Sequence, residues 1–342
     1  MSQAERENSQ KIAHDNGMCD CGYVGGAHLR PVRCRGYAHD FPAIRNKRSM
    51  TTVPLGQDHD LAVQIAAMHA KMNQILAAVA PRNGLLFHDS ARGALTLNID
   101  GLVIRFPDTE VAHALSYALN DQFDRGMQLV LHRLLRPGMT FVDVGASVGV
   151  LTALGARLVG SAGRVFAYEP IDVLEPFIRA NVSINAPATR LDLTLAAVGS
   201  VAGTLEFQMF EGDSRISTLF KYDGNWLPGI RAHFLTVPTF RLDDHLPEGI
   251  PVDVIKIDAE GAEFDVLKGL ENVMRRSPDL QIVAEWAPEH FRRAGHNMDT
   301  VQAFLVAHQL RFCGLDPLTG ADVAADARSF VGNARLQHVT KA

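Results

Sequence analysis

From Thr140 onward the chain alternates short apolar runs with stretches whose apolar residues recur every three or four positions, the rhythm of strand and helix in turn. Thr140–Val144 is apolar and β-branched and predicts a strand. Val150–Val159 predicts a helix closed by Gly160, Arg164–Tyr168 a second strand, Glu175–Asn185 a helix and Leu191–Val198 a third strand. Val252–Ile257 and Leu280–Ala284 are further apolar runs, joined by a helix whose face carries Val266, Leu267, Leu270, Val273 and Met274. Strands apolar on both faces belong to a sheet covered on both sides by helices. The pattern therefore predicts an α/β fold, a doubly wound, mostly parallel, Rossmann-like sheet of seven strands, with ligands bound beyond the carboxyl ends of the strands.

The amino-terminal part reads differently. Residues 1–57 mix Gly, Pro, Arg and His without periodicity and predict a poorly ordered leader. Leu61, Ile65, Met68, Met72, Ile75, Leu76 and Val79 then follow helical spacing until Pro81. Such a stripe either packs against its own domain or joins two copies of the chain into a homodimer. Gly84–Phe106 predicts short strands, with Asp100-Gly101 as hairpin turn chemistry, and Glu110–Leu135 a helical segment closed by Pro137-Gly138. The boundaries that follow are a leader over 1–57, a helical and β-hairpin extension over 58–135, and the main domain over 136–342. Gly203–Phe240 interrupts the main domain with β-rich pieces, and its length suggests a lid or acceptor surface. Arg215 there either meets an anionic group of a substrate or is a solvated surface residue.

Charge narrows the partners. A net charge of -5 and a pI near 6.3 lack the dense basic face that a nucleic acid needs, so none is expected. MSQAERENSQ has no signal-peptide core and no later run is long enough to span a bilayer. The expectation is a cytoplasmic protein with no membrane partner. Cys19, Cys21 and Cys34 lie near His28 and His39, but their spacing matches no zinc pattern, and free thiols are expected. Cys313 sits in an apolar context and is expected in the core.

The first strand ends in Asp143-Val144-Gly145-Ala146-Ser147-Val148-Gly149 and runs into a helix. A dinucleotide turn needs a third glycine and repels an acid beside the pyrophosphate. Here Gly145 and Gly149 stand alone behind Asp143. A ligand with an amino group and a sulfonium favours that acid, which points to S-adenosylmethionine. Glu169, at the end of the second strand, is placed to accept hydrogen bonds from ribose hydroxyls. Ala146 and Ser147 complete the turn, and Ala197 is expected to offer its backbone N–H to adenine. An ordinary strand-to-helix turn accounts for the glycines alone; Glu169 tips the reading toward a cofactor.

The segments FVDVGASVGVLTALGARLVGSAGRVFAYEP and DVIKIDAEGAEFDVLKG resemble the FkbM family of methyltransferases over roughly Arg136–Glu285. KIDAEGAE is the most distinctive piece, and Ser147 stands where the family more usually has Asn. The resemblance implies a class I methyltransferase domain that moves a methyl group onto a hydroxyl of a sugar, glycan or natural product.

Such a transfer mainly positions the acceptor and receives its proton. Asp258 and Glu260 leave the strand Val252–Ile257 at the expected edge, and either is a candidate base with a pKa raised by neighbouring like charges. Glu285 closes the next apolar run and should lie alongside Asp258. Glu263 is read either as a helix-start acid or as part of the site, Lys256 as tempering the Asp258 charge or as structural, and Trp286 as a pocket wall or a core aromatic. Asp258 and Glu285 could together hold a magnesium ion, an arrangement similar to catechol O-methyltransferase, but no third oxygen ligand is identifiable and no metal is assigned. Two competing functions remain at this point: a catalytically silent nucleoside-binding module on the same fold, and a nicotinamide-dependent oxidoreductase, which the missing third glycine opposes.

Overall fold

The computed structural model describes residues 87–120, 124–210, 214, 217 and 231–338, all of which belong to the compact unit Leu55–Ala342. The leader with its Cys and His residues, the 61–79 stripe and Arg215 lie outside the described residues.

Strands β1 (Phe87–Asp89), β2 (Ala94–Ile99) and β3 (Leu102–Pro107) form a three-stranded antiparallel sheet. Its second turn is Asp100-Gly101, with φ of 48° and 79°, the conformation that a two-residue turn between twisted strands requires. Leu95, Leu97 and Ile99 turn inward with Leu102, Ile104 and Phe106, as their alternation predicts. The edge of β3 is closed by two amides. Asn181 pairs both ways with the backbone of Arg105, at 2.8 and 2.9 Å, and Asn185 does the same with Val103, at 2.9 and 2.8 Å. Two side chains one helical turn apart thus stand in for a neighbouring strand and fasten the hairpin to the main sheet's helix.

The helical segment expected over Glu110–Leu135 is two helices, α1 (Val111–Leu119) and α2 (Arg125–Leu134). The helix ends where Asn120 turns extended, and Asp124 before α2 is left-handed, with φ 53°. Asn and Asp compete for backbone groups and favour helix ends over interiors.

The main domain continues through β4 (Thr140–Val144), α3 (Val150–Val159), β5 (Arg164–Tyr168), α4 (Glu175–Asn185) and β6 (Arg190–Thr194). After β7 (Ala197–Val198), β8 (Gly203–Phe210), β9 (Ala232–Phe240) and α5 (Leu242–His245) come β10 (Val254–Ile257), α6 (Glu263–Lys268), α7 (Glu271–Arg276) and β11 (Gln281–Trp286). Helices α8 (Pro288–Arg293) and α9 (Met298–Ala307) lead to β12 (Leu310–Leu315), β13 (Asp322–Val323) and β14 (Gly332–His338). The sheet order is β13-β12-β14-β11-β10-β4-β5-β6. From β11 to β6 the pairing is parallel, and β14 enters antiparallel between β11 and β12. This is the class I methyltransferase arrangement. The eighth strand, absent from the expectation, is the two-residue edge piece β13.

The central strands bury both faces. Phe141, Val165, Val254 and Val283 face one core with α3 and α4. Their neighbours Val142, Phe166, Ile255 and Ile282 face the other with α6, α7 and α9. Trp286 belongs to that second core. It is fully buried, donates its indole N–H to the Ala327 carbonyl at 2.7 Å and stands edge-on to Phe291, so it is packing and not a pocket wall. Cys313 is buried.

Two expected elements are divided. The third strand stops at Thr194, because the Ala196 N–H folds back to the Thr194 carbonyl, and Ala197-Val198 pairs instead with β9 in a separate sheet. The helix carrying Val266 to Met274 breaks at Gly269, where a Cβ would meet the Gly199 carbonyl oxygen at 2.1 Å. Among the described residues no helix is long and apolar enough to cross a membrane.

Candidate active site

A cleft of about 320 Å³ opens at the carboxyl ends of β4, β5 and β10, within the size range of small-molecule sites. The chain leaves β4 through a turn in which Gly145, Ser147 and Gly149 all take positive φ, 76°, 52° and 87°. The N–H groups of Gly145 and Ala146 both donate to the Tyr168 carbonyl at 3.0 Å. The glycines answer to protein neighbours as well as to a ligand. A Cβ on Gly145 would lie 1.8 Å from the Asp258 carbonyl oxygen, and one on Gly149 would lie 3.0 Å from the Ile178 Cα.

Glu169 completes the turn. Its Oε2 accepts the Ser147 N–H at 2.7 Å and its Oε1 the Ile171 N–H at 2.9 Å. Burial pushes this carboxyl up to about 7, against the pull of those two N–H donors. Each oxygen has accepting capacity left beyond that one N–H, and Glu169 lines the cleft. Ser147 Oγ is buried there with no partner among the described residues, a polar atom that a bound ligand would satisfy. Ala146 and Ala197 also line the cleft. These residues fit S-adenosylmethionine.

Asp143 is placed otherwise than expected. It is fully buried, accepts the Thr152 hydroxyl at 2.6 Å and pairs with Lys256 Nζ at 3.1 Å. Its charge is spent beneath the turn and it does not line the cleft. Lys256 in turn donates to the Gly145 and Val144 carbonyls at 2.5 and 3.2 Å and lies 3.9 Å from Asp258 Oδ2. Burial works against the ammonium, but Asp143 and Asp258 more than offset it and hold Lys256 above its usual range.

The second part of the cleft is acidic. Asp258, whose N–H donates to the Val144 carbonyl at 3.1 Å, leads into Glu260, held at φ 51°. Glu285 stands beside it, because β10 and β11 pair Ile257 with Ala284. All three line the cleft. Burial, then Asp258 and Glu263, push Glu285 up to about 8. Burial, then Asp258, Glu285 and Glu263, push Glu260 well above its ordinary value. Glu263 has a structural task that spacing did not disclose: its Oε1 accepts the N–H groups of Ala259 and Gly261, both at 3.0 Å, and so folds the loop back on itself.

One oxygen each from Asp258, Glu263 and Glu285 lie within 4.8 Å of one another, so Glu263 is the third oxygen not identified from the sequence. Protonation and cation binding are alternative ways to relieve that repulsion.

Sequence reasoning missed a further part of the lining. His113 and Tyr117, one turn apart on α1, line the cleft with Asp124, Phe207, Ser214 and Ser217. Tyr117 donates to Asp124 Oδ2 at 2.5 Å. Glu110 accepts both the backbone N–H and the hydroxyl of Ser214, at 2.8 and 3.0 Å. The aromatic pair at helical spacing was the available signal.

Methyltransferase sdnD of Sordaria araneosa is 28% identical over 176 residues, 44% of this chain and 68% of that protein. A SAM dependent methyltransferase from Aquifex aeolicus is 16% identical with a TM-score of 0.33, over 63% of this chain and 88% of the other. A Precorrin-6y C5,15-methyltransferase from Geobacter metallireducens is 17% identical with a TM-score of 0.34, over 64% and 90%. The fold stands on its own strand order and not on these two overlaps. The family model described as Vibrio cholerae RfbT protein matches residues 89–324, and the chain belongs to that family.

Proposed function

We propose that this chain is an O-methyltransferase that places a methyl group on a hydroxyl of a sugar, glycan or natural-product acceptor. Its class as a methyltransferase using S-adenosylmethionine rests on the strand order, the glycine turn with Glu169 and the relative in Sordaria araneosa. The resemblance of the FVDVGASVG and KIDAEGAE segments to FkbM methyltransferases supports oxygen as the acceptor atom.

The chemistry that bound S-adenosylmethionine supplies is a methyl carbon activated by sulfonium. Glu169 and the 145–149 turn hold and orient that group. The Asp258, Glu260 and Glu285 cluster receives the acceptor proton. One observation carries the proposal: these three carboxylates crowd the same cleft as Glu169, with Glu285 pushed up to about 8. Glu285 Oε2 is buried without a hydrogen-bond partner among the described residues. A carboxylate of raised pKa is a stronger base, and once ionised in mildly alkaline medium it is matched to taking a hydroxyl proton.

The test is incubation of the full chain with S-adenosylmethionine bearing an isotope-labelled methyl group and a panel of sugars, oligosaccharides and hydroxylated natural products. A labelled methyl ether is the expected product. Label on nitrogen or carbon, or on none of the hydroxyl acceptors while S-adenosylhomocysteine still binds, would overturn the proposal.

A further inference from the structure

Lys256 is an ammonium placed where apolar side chains are the rule. It sits in β10 among Val254, Ile255 and Ile257, all buried, and is itself 2% exposed. Taking an ammonium out of water is costly unless a counter-charge and hydrogen bonds replace the lost hydration. The register of β10 against β4 sets Lys256 beside Asp143, which pairs with it at 3.1 Å and is steadied by the Thr152 hydroxyl.

The hydrogen bonds of Lys256 converge on the glycine turn. Nζ donates to the Val144 carbonyl at 3.2 Å and to the Gly145 carbonyl at 2.5 Å. The N–H at the other end of each of these two peptide units, on Gly145 and on Ala146, donates to the Tyr168 carbonyl at 3.0 Å. Two successive peptides are therefore held at both poles, by one cation and one carbonyl, and neither can flip without breaking a bond at each end. The next N–H in line, that of Ser147, meets Glu169 Oε2 at 2.7 Å. Its direction follows from the two peptides before it, so Lys256 registers the turn against Glu169.

The same pair bears on Glu169 through charge. Burial raises this carboxyl to about 7; the Ile171 and Ser147 N–H groups and then Lys256 favour its ionised form, and Asp143 opposes it. Lys256 itself faces Asp143 from β4, Asp258 at 3.9 Å at the exit of β10, and the charge of Asp124 before α2. Its own charge also reaches Glu260 and Glu285.

We propose that Lys256 is a positioning residue for the methyl donor: with Asp143 as its counter-charge it clamps the two peptides of the turn and fixes them against Glu169 as one preformed surface for S-adenosylmethionine. Because the two members of the pair carry opposite charges, they act in opposite directions on the pH at which that surface binds. This role concerns the methyl donor alone and is the same whatever the acceptor.

The test is calorimetric titration of the full chain with S-adenosylhomocysteine across pH, with a melting curve for each protein to establish its fold. In wild type the affinity should rise with pH through about 7. Lys256→Met removes the charge that favours the Glu169 carboxylate and is expected to move that rise to higher pH. Asp143→Asn removes the charge that opposes it and is expected to move the rise to lower pH, each by about half a unit or more. At about pH 8.5 Lys256→Met should still bind about tenfold more weakly than wild type, since the turn carbonyls have lost their cation. If Lys256→Met does not fold, Asp143→Asn/Lys256→Met takes its place, because it buries no unpaired charge, and it should bind about tenfold more weakly than Asp143→Asn at that pH. Packing alone would move melting temperatures and leave the pH of the rise where it is. A rise that stays at the wild-type pH in either folded single variant, or moves the same way in both, overturns the proposal, as does equal affinity of Asp143→Asn and the double variant.

Discussion

Lys256 Nζ lies 3.1 Å from Asp143 Oδ1 directly beneath the glycine turn, with both side chains buried. The pair turns an acid that the sequence places beside the cofactor into part of the floor that carries it. Lys256 also holds the Gly145 carbonyl, so the turn is fixed from below by charge and from the side by the β10 exit. That exit makes the first prediction. Gly145→Ala would drive a Cβ to 1.8 Å from the Asp258 carbonyl oxygen at a φ of 76°, whereas Gly138, at φ 89°, has nothing within 4 Å of the same position. Gly138→Ala is expected to cost about 1 kcal/mol of backbone strain and to retain S-adenosylhomocysteine binding. Gly145→Ala is expected to lose both binding and more of the melting temperature. Melts with and without S-adenosylhomocysteine check the contrast.

Glu169 makes the second. An amide in place of the carboxylate sets an NH₂ group against the N–H of either Ser147 or Ile171, which now donate to the two oxygens. Glu169→Gln is expected to weaken S-adenosylhomocysteine by about 10–100-fold. In the wild type the carboxyl titrates near 7, and its ionised form is the better acceptor. Affinity should rise from pH 6 to pH 8 in wild type and stay flat in the variant. Calorimetry at the two pH values is the measurement; an equal slope in both proteins would detach Glu169 from the ligand.

What the sequence discloses and what it withholds divide along contact range. Strand boundaries such as Thr140–Val144, the Asp100-Gly101 turn and the adjacency of Asp258 and Glu285 follow from local patterning and strand order, because a period of two or of 3.6 is written into neighbouring residues. The partner of Asp143 is not local. Lys256 comes from the adjoining strand, and only the register between β4 and β10 sets them side by side. Tyr117 and Asp124 lie in a stretch whose pattern predicts helix and nothing more, and only the fold brings them to the cleft. Glu263 looks like a helix-start acid, and its backward reach to Ala259 depends on the tight bend at Glu260 and Gly261. Leu191–Val198 reads as one strand, and no Gly or Pro within it marks a break before Ala197. The reversal at Ala196 is a backbone event with no side-chain signal.

The third prediction concerns the base. Asp258→Asn and Glu260→Gln are each expected to lower turnover by about 10²–10⁴-fold, with S-adenosylhomocysteine affinity within about threefold of wild type. Because Glu285 is held near 8 and Glu260 well above its ordinary value, the cluster loses its proton only as the medium becomes mildly alkaline. Turnover should therefore climb with pH through about 8 and level only above it. The acid limb belongs to the coupled group and not to one residue. Full activity in both variants would remove the cluster from the chemistry.

The fourth follows from what that crowding costs the fold. Glu285 keeps its proton up to about 8 when folded and to about 4.5 otherwise. Between those values the folded state binds more protons than the unfolded one, so this residue's contribution to stability falls as pH rises through that window and is constant above it. A neutral amide of the same shape does not titrate. Glu285→Gln should therefore melt close to wild type at pH 5 and above it at pH 8, by a few degrees, corresponding to about 1 kcal/mol. The same change removes a carboxylate from the proton-receiving cluster, so turnover should fall where stability rises. Scanning calorimetry across pH 5–8, paired with rates on the same samples, reads both. A variant less stable than wild type at pH 8 would mean that the Glu285 charge is compensated in the fold.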